Sequence, residues 1–284
     1  MYVVAGVTGH TGAVVANTLL DQGQKVRVIV RSAQKGAPFA ARGAEVAVAS
    51  LDDVAATTRA LAGASGAYLL IPPDVTSEEV VARGRRLVDA MTAAVKAAAV
   101  PHVVFLSSIG AQHQKGTGPI VQVHYAEQQL AAVTKATFLR AGYFFENLLG
   151  LVPAIKGQGV LPVFFDPTIP FPMLGTVDIG RAAVAALLDP PGQTRVLELA
   201  GPAERTLTDA ANAFGKVLGK PVHAFRVPDE GVVPALRQAG MSQNLSELYL
   251  EMNQALGSGL FVFDGHKQVR GTTTLETFVS QALS

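Results

Sequence analysis

Three glycines, Gly6, Gly9 and Gly12, are spaced three residues apart near the start of the chain. A short β-branched run, residues 2–5, precedes them, and helical periodicity begins at Ala13. In such a strand-to-helix turn the glycines permit a tight turn, a close approach of a pyrophosphate and close helix packing, while the helix N–H groups receive the anion. The loop therefore predicts a dinucleotide site. Its predicted contacts are Gly6, Thr8, Gly9, His10, Thr11 and Gly12.

The end of the second predicted strand carries Val30-Arg31-Ser32, with Lys35 close by. An NAD-preferring domain usually has an acidic residue here for the ribose hydroxyls, and its charge would repel a 2′-phosphate. Arg31 instead offers a guanidinium that forms charge-assisted hydrogen bonds to a phosphate. We therefore predict NADPH as the coenzyme, with Arg31 and Lys35 beside the 2′-phosphate. A solvated arginine at a strand end is the alternative.

The composition excludes several other kinds of chemistry. The chain has no cysteine, so disulfides, thiolate metal sites and cysteine nucleophiles are excluded. Its six histidines are scattered without an i, i+4 pair, and we predict no metal site. The formal net charge is only +1, without a basic block, which argues against nucleic-acid binding. Residues 107–110 lack the Gly-x-Ser-x-Gly form of a hydrolase nucleophile elbow.

The elements that must position these residues alternate between buried strands and alanine-rich helices. The predicted strands are Tyr2 to Ala5, Lys25 to Val30, Glu45 to Val48, Ala67 to Ile71, His102 to Leu106 and Ala136 to Arg140. The predicted helices between them are Ala13 to Gln22, Asp53 to Leu61, Ser77 to Ala98 and Ile120 to Val133. This alternation predicts an α/β fold, a doubly wound parallel sheet of the NAD(P)-binding Rossmann type, over residues 1–150.

After residue 150 the pattern becomes less regular. Five prolines lie between residues 153 and 172, around short extended pieces. We predict that residues 151–284 form a smaller, irregular substrate lobe that returns in part to the main domain. The further predicted elements are a helix from Asp178 to Leu188, a strand from Arg195 to Leu199, a helix from Thr208 to Leu218 and helices near Glu230 to Gly240, Ser242 to Leu256 and Leu275 to Leu283.

Most of the chain resembles the NmrA-like branch of the atypical short-chain dehydrogenases, especially its NAD(P)H-dependent quinone oxidoreductase-like members. The resemblance is carried by the glycine loop, Arg31, Leu51-Asp52-Asp53, Pro72-Pro73, Ser107-Ser108, the stretch from Leu139 to Asn147 and Thr176-x-Asp178-Ile179-Gly180. The most specific of these is Arg140-x-Gly142-x-x-x-Glu146-Asn147, since many dehydrogenases share a glycine loop.

The resemblance implies positions for the two ends of the coenzyme. It places the adenine near Ser50 and Leu51, although relatives commonly have an aspartate where this chain has Ser50. It places the nicotinamide near a second group of residues. That group is Pro72, Ser107, Gly142, Tyr143 and Phe144.

Aromatic residues could line the space in front of the nicotinamide. Residues 143–145 would supply one wall, and residues 162–165 with 171–173 would close the other side. Aromatic residues at these positions are equally typical of a plain core. The predicted substrate contacts are Ser108, Ile109, Phe145 and Phe165.

The candidates for proton transfer are His124 and Tyr125. Short-chain dehydrogenases usually pair Ser with Tyr-x-x-x-Lys, because the lysine lowers the pKa of the tyrosine phenol. Here Gln129 stands four residues after Tyr125 and cannot supply that charge. His124 or Tyr125 would orient or protonate the acceptor; alternatively, this helix face packs under the coenzyme and Glu127 forms a structural ion pair.

The leading hypothesis is an NADPH-dependent oxidoreductase that transfers hydride to a quinone or a similar conjugated small molecule, because the coenzyme then carries the chemistry. The alternative is an NADP(H)-sensing regulator of NmrA type without turnover. A nucleotide-sugar epimerase is disfavoured because Tyr-x-x-x-Lys is absent. No apolar stretch is long enough to span a membrane and no signal peptide is recognised, so we expect a cytoplasmic protein with neither nucleic-acid nor membrane partners. A homodimer is left open.

Overall fold

Short β-branched runs alternate with helices along most of the chain, and the computed structural model, which describes residues 1–284, arranges eight of these runs in one sheet. The strands are β1 (Tyr2–Val4), β2 (Val26–Val30), β3 (Glu45–Val48), β4 (Gly66–Leu69), β5 (His102–Ser108), β6 (Lys135–Ala141), β7 (Tyr143–Phe144), β8 (Val160–Val163), β9 (Phe171–Leu174), β10 (Arg195–Ala200), β11 (Glu204–Arg205), β12 (His223–Arg226) and β13 (Lys267–Arg270).

Eleven α-helices connect the strands. They are α1 (His10–Asp21), α2 (Ala33–Ala40), α3 (Val54–Leu61), α4 (Val80–Ala97), α5 (Val121–Ala131), α6 (Val152–Gln158), α7 (Thr176–Leu188), α8 (Leu207–Leu218), α9 (Asp229–Gln238), α10 (Gln243–Gly257) and α11 (Leu275–Leu283). Two 3₁₀ segments, Gly118–Ile120 and Phe145–Leu151, precede α5 and α6. None of the helices is long and apolar enough to cross a bilayer.

The large sheet has the strand order β3-β2-β1-β4-β5-β6-β10-β13, and all its neighbours are parallel. Strand order reverses between β1 and β4, since Val3 is in register with Arg27 on one side and with Ala67 on the other. Open α/β sheets bind ligands in the crevice at the carboxyl ends of the strands at such a reversal. The predicted doubly wound fold is confirmed.

Alternating side chains of the strands bury two separate apolar layers. Val4 faces the core formed with Val15 of α1 and Ala183 of α7. Val3, one residue earlier, faces the opposite core, which includes Met91 of α4 and Leu130 of α5. Helices therefore cover both faces of the sheet, as its continuous hydrophobic strands require.

The lobe contains a third apolar core, to which Phe145, Phe214 and Val279 belong. Two small sheets, β7-β9-β11 and β8-β12, frame it. Residues beyond 150 also return to the main sheet, because α7 packs against α1 and β10 and β13 extend the sheet beyond β6.

Several local predictions were wrong. The helix α2 was missed, because Gly36 and Pro38 lie within its eight residues and both disfavour helix. The helix predicted to begin at Thr208 begins at Leu207, and its cap is Thr206, which forms a capping box with Asp209. The helix predicted to begin at Asp178 begins two residues earlier, at Thr176; Asp178 lies in its first turn, and its Oδ2 accepts a hydrogen bond from the Thr273 amide.

Candidate coenzyme and acceptor site

A cavity of about 620 Å³ lies at the carboxyl ends of β1, β4 and β5, where the strand order reverses. It extends from the glycine loop to α10 of the lobe. The residues from the sequence predictions that line it are Gly6, Thr8, Gly9, His10, Thr11, Arg31, Pro72, Ser107, Ser108 and Phe144. The tertiary structure therefore brings residues from five separate parts of the sequence to one space.

The glycine loop has the backbone geometry of an anion site. Gly6 has φ +69°, a conformation that favours glycine. A Cβ on Gly12 would overlap the carbonyl oxygen of Gly6 and lie 2.7 Å from that of Ala5, so only glycine lets α1 pack this closely. A Cβ on Gly9 would meet nothing closer than 3.4 Å. Gly9 thus leaves space on the cavity side, where a ligand would approach.

The amino terminus of α1 is open toward the cavity. Gly9 is the N-cap, no side chain caps it, and the first turn has no acidic residue. The uncapped N–H groups and the helix dipole both favour an anion here. Below the loop, Tyr68 donates a hydrogen bond of 2.9 Å to the Thr11 hydroxyl, and burial raises the Tyr68 pKa. The phenol stays protonated and holds Thr11 in place.

Arg31 lies at the end of β2, is exposed and lines the cavity without an ion-pair partner. The other predicted residues of the adenine end do not line this cavity. Lys35 is exposed on α2. Ser50 lies beyond β3 and uses its carbonyl to accept a hydrogen bond from Thr57, while Leu51 is half-buried beside α3.

A buried polar network lies behind the cavity wall at the end of β5. Ser107 donates a hydrogen bond of 2.5 Å to Glu127, and Arg140 donates hydrogen bonds to both oxygens of that carboxylate, at 3.0 and 2.7 Å. Arg140 also contacts Asp264 at 2.9 Å. Burial lowers the pKa of Arg140, but the bonds and charges of Glu127 and Asp264 more than offset this and raise it overall. Glu127 is therefore a structural ion-pair partner.

Two residues of the predicted Arg-x-Gly-x-x-x-Glu-Asn element hold the lobe against the sheet. A Cβ on Gly142 would overlap the carbonyl oxygen of Pro172, so Gly142 lets β9 approach. Glu146 accepts hydrogen bonds from the Thr176 amide at 3.0 Å and from its hydroxyl at 2.6 Å, and thereby caps the start of α7. Their roles in the structure are packing and capping.

Several predicted substrate contacts lie in the lobe core instead of on the cavity wall. Phe145 packs against Phe278 with ring centroids 5.4 Å apart, and Phe165 packs edge-on against Phe171 at 5.3 Å. Ile109 is buried in the same core. Tyr143 also packs against Phe171. Of the predicted aromatic wall, Phe144 lines the cavity, because neighbouring residues of β7 point to opposite sides.

The two predicted proton-transfer residues both lie outside this cavity. Tyr125 donates a hydrogen bond of 2.6 Å to Asp89, and that bond, with burial, raises the pKa of its phenol. His124 holds the carbonyl of Ala111 through Nδ1 at 2.7 Å and lines a separate cavity of about 590 Å³ beside Arg140. The predicted alternative, a helix face that packs behind the site, describes these contacts.

Sequence reasoning missed many residues on the cavity wall, among them Gln122, Leu245 and Tyr249. Gln122 of α5 is buried, and a Cβ on Gly84 of α4 would overlap its amide oxygen. A glycine inside a helix costs stability, so Gly84 was the one available signal for this close contact. Leu245 and Tyr249 of α10 line the lobe side, and no motif marks them.

Helices α4 and α10 cap each other across the cavity mouth. Asn244 accepts a hydrogen bond of 3.0 Å from the Val80 amide at the start of α4. Glu78 in turn accepts from the amides of Gln243 and Asn244 at the start of α10, at 3.3 and 3.0 Å. Ser242 adds a hydrogen bond of 2.6 Å from its hydroxyl to the carbonyl of Ser77. We call these six residues, Ser77, Glu78, Val80, Ser242, Gln243 and Asn244, the α4–α10 clasp.

Comparison with known proteins matches this architecture. The NmrA-like family model covers residues 2–279. Quinone oxidoreductase 2 from Escherichia coli is 28% identical over 99% of this chain and 98% of its own. NAD(P)H azoreductase from Xenophilus azovorans is 27% identical over 89% of this chain and 86% of its own. A crystal structure of the E. coli NADPH-dependent quinone oxidoreductase with NADPH covers 100% of both chains with a TM-score of 0.83 at 28% identity.

Proposed function

The chain belongs to the NmrA-like family, and we propose that it is an NADPH-dependent oxidoreductase that transfers hydride to a quinone or a similar conjugated small molecule. One observation carries the proposal. A single cavity runs from an anion-binding glycine loop with an unpaired arginine, Arg31, to an enclosed wall that contains Phe144 and α10. It offers a place for a dinucleotide at one end and for a small acceptor at the other.

The residues at the loop end fit NADPH. The uncapped start of α1 would receive the pyrophosphate, and Gly9 leaves room for it. Arg31 would bind the 2′-phosphate, since no carboxylate of the protein competes for its guanidinium. Lys35, Ser50 and Leu51 remain predicted contacts of the adenine end. The coenzyme names in the relatives, NADPH and NAD(P)H, support this choice.

The residues at the lobe end would position the acceptor. When bound, NADPH supplies the hydride, so the protein has to align the two molecules and exclude water. Phe144, Leu106 and Leu245 present apolar surface for a planar conjugated ring. Ser107 and Ser108 contribute hydroxyls at the end of β5. The relatives named quinone oxidoreductase and azoreductase support an acceptor of this class.

The alternative, an NADP(H) sensor without turnover, requires no space beyond the coenzyme. The cavity extends past the glycine loop and the end of β5 to Leu245 and Tyr249 of α10, which favours an enzyme. A cytoplasmic location stays a prediction from the sequence, and a homodimer stays open.

Stopped-flow oxidation of NADPH against a panel of quinones tests the proposal. We expect saturable oxidation with at least one quinone and no comparable rate with NADH at the same concentration. Calorimetry on the same preparation would measure NADPH binding independently. Tight NADPH binding without oxidation by any quinone would favour the sensor instead.

A further inference from the structure

Most of the polar side chains at the lobe end of the cavity have already committed their donor hydrogens. Ser107 donates to Glu127 at 2.5 Å, and Ser108 donates to the carbonyl of Ile109 at 2.9 Å. A serine hydroxyl has a single hydrogen. Both hydroxyls therefore present only lone pairs to a ligand.

Two further side chains on this wall also donate a hydrogen within the protein. The Thr176 hydroxyl donates to Glu146 at 2.6 Å. The amide nitrogen of Gln122 donates to the carbonyl of Pro119 at 3.2 Å, which turns its amide oxygen toward Gly84. Ser107, Ser108 and Thr176 thus have no hydroxyl hydrogen left for a ligand, whereas the Gln122 amide keeps one of its two N–H groups.

Tyr249, unlike these serine and threonine residues, does not donate its hydroxyl hydrogen within the protein. It is half-buried on α10, lines the cavity and has no hydrogen-bond partner for its hydroxyl within the protein. Burial raises the pKa of its phenol, so the hydroxyl keeps its proton at neutral pH. Its hydroxyl hydrogen therefore remains available to a bound molecule.

The position of Tyr249 is fixed by packing on two sides. A Cβ on Gly118 would overlap the carbonyl oxygen of Leu248, so α10 lies directly against the 3₁₀ segment before α5. The α4–α10 clasp holds the other end of the same helix through Asn244 and Glu78. A donor held in place before the reaction stabilises developing charge without the cost of reorganisation.

Resting on the proposed function, we propose that Tyr249 is a catalytic residue that donates a hydrogen bond to the acceptor oxygen on which negative charge develops during hydride transfer. In that step NADPH loses a hydride, which is two electrons and one proton, and becomes NADP⁺, while the quinone becomes the hydroquinone anion. A proton taken from water completes the hydroquinone. Tyr249 stabilises the oxyanion and keeps its own proton, because its raised pKa makes it a weak acid.

The test compares Tyr249→Phe with Tyr125→Phe. The control removes the same hydroxyl from a tyrosine that contacts Asp89 outside the cavity. We expect Tyr249→Phe to lower kcat by about 100- to 1000-fold with an unchanged KM for NADPH, as loss of an oxyanion donor does. Tyr125→Phe should keep the wild-type kcat. Thermal denaturation of both variants would verify that they are folded.

A second measurement requires no turnover. It uses 4-nitrophenol bound to the protein together with NADP⁺, because the phenolate of this compound mimics the charged acceptor oxygen. The pKa of the bound nitrophenol is measured from its absorbance. We expect this pKa to be lower in the wild type and in Tyr125→Phe than in Tyr249→Phe. Equal pKa values in all three proteins, or a wild-type kcat in Tyr249→Phe, would overturn the assignment. If no quinone is reduced but the nitrophenol pKa still depends on Tyr249, the donor role stands and the acceptor class is wrong.

Discussion

The two ends of the cavity are built in different ways. At the coenzyme end, the glycine loop consists of seven consecutive residues, and the backbone forms the phosphate site around Gly6, Gly9 and Gly12. At the acceptor end, Tyr249 and Phe144 come from distant elements, and side chains such as Asn244 and Glu78 hold α10 in place. The first end has little freedom to change, whereas the second can vary its lining without altering the fold.

The largest effect should follow from a methyl group in the glycine loop. Gly12→Ala would force the new Cβ onto the Gly6 carbonyl, so we expect the free energy of unfolding to fall by about 1–3 kcal/mol and NADPH binding to be lost. Gly9→Ala is the matched control, since its Cβ meets nothing closer than 3.4 Å. It should weaken NADPH binding at an unchanged melting temperature. Equal melting temperatures for both variants would contradict the packing role of Gly12.

The next effect concerns coenzyme choice at the same end. Arg31→Asp should weaken NADPH binding by about 10- to 100-fold, because a charge-assisted hydrogen bond to the 2′-phosphate is worth about 1.5–3 kcal/mol. NADH binding should change little, and calorimetry with both coenzymes measures the difference. Lys35→Ala, which alters an exposed residue of α2 outside the cavity, should have a smaller effect. Equal losses of NADPH and NADH would show that Arg31 does not contact the 2′-phosphate.

As the pH is lowered, the large sheet should lose stability at a higher pH than the α4–α10 clasp does. Burial, with the charge of Arg195, lowers the pKa of His102 on β5 to about 4. The unfolded chain protonates this histidine near its ordinary pKa of about 6.5, so the stability present above that pH is lost as the pH falls toward 4. We expect a loss of about 2 kcal/mol between pH 6.5 and 5. Denaturant unfolding of wild type and His102→Gln checks this, and the variant should lack that slope.

The smallest effect should come from the clasp. Asn244→Ala removes the cap of α4, which costs about 1 kcal/mol and should raise hydrogen exchange of the Val80 amide about fivefold. Backbone amides of α10 hold the pKa of Glu78 below its usual range, so its capping is lost as the pH falls through that lowered pKa. Glu78→Gln should weaken the clasp at neutral pH. Glu79→Gln, which alters only a surface pair with Arg86, should leave exchange at α10 unchanged.

The sequence-based predictions succeeded where the signal is local. The strands up to β6 follow from β-branched runs between glycines and prolines, and the carboxyl ends of parallel strands meet at one edge. This reasoning places Gly9, Arg31 and Ser107 together, and the structure has them on one cavity wall. The helix α2 was missed because Gly36 and Pro38 disfavour helix, and tertiary packing of Phe39 into the core overrides that preference.

The predictions failed where two neighbouring residues have different surroundings. Phe144 lines the cavity while Phe145 enters the lobe core, and their chemical types do not distinguish them. Tyr125 fitted the expected order of a dehydrogenase site, yet α5 turns it toward Asp89. A shift of one residue in a strand or a helix face decides such cases.

The sequence by itself determined the coenzyme end, because a glycine turn between a strand and a helix is a local structure and Arg31 lies at a strand end that the periodicity predicts. The tertiary structure decided the acceptor end. More than 100 residues separate Tyr249 from Ser107 along the chain, and they line the same cavity only because Gly118 and the clasp seat α10 against the sheet. Which donor faces the acceptor depends on hydrogen bonds made elsewhere, such as those of Ser107 and Thr176, and no sequence pattern records them.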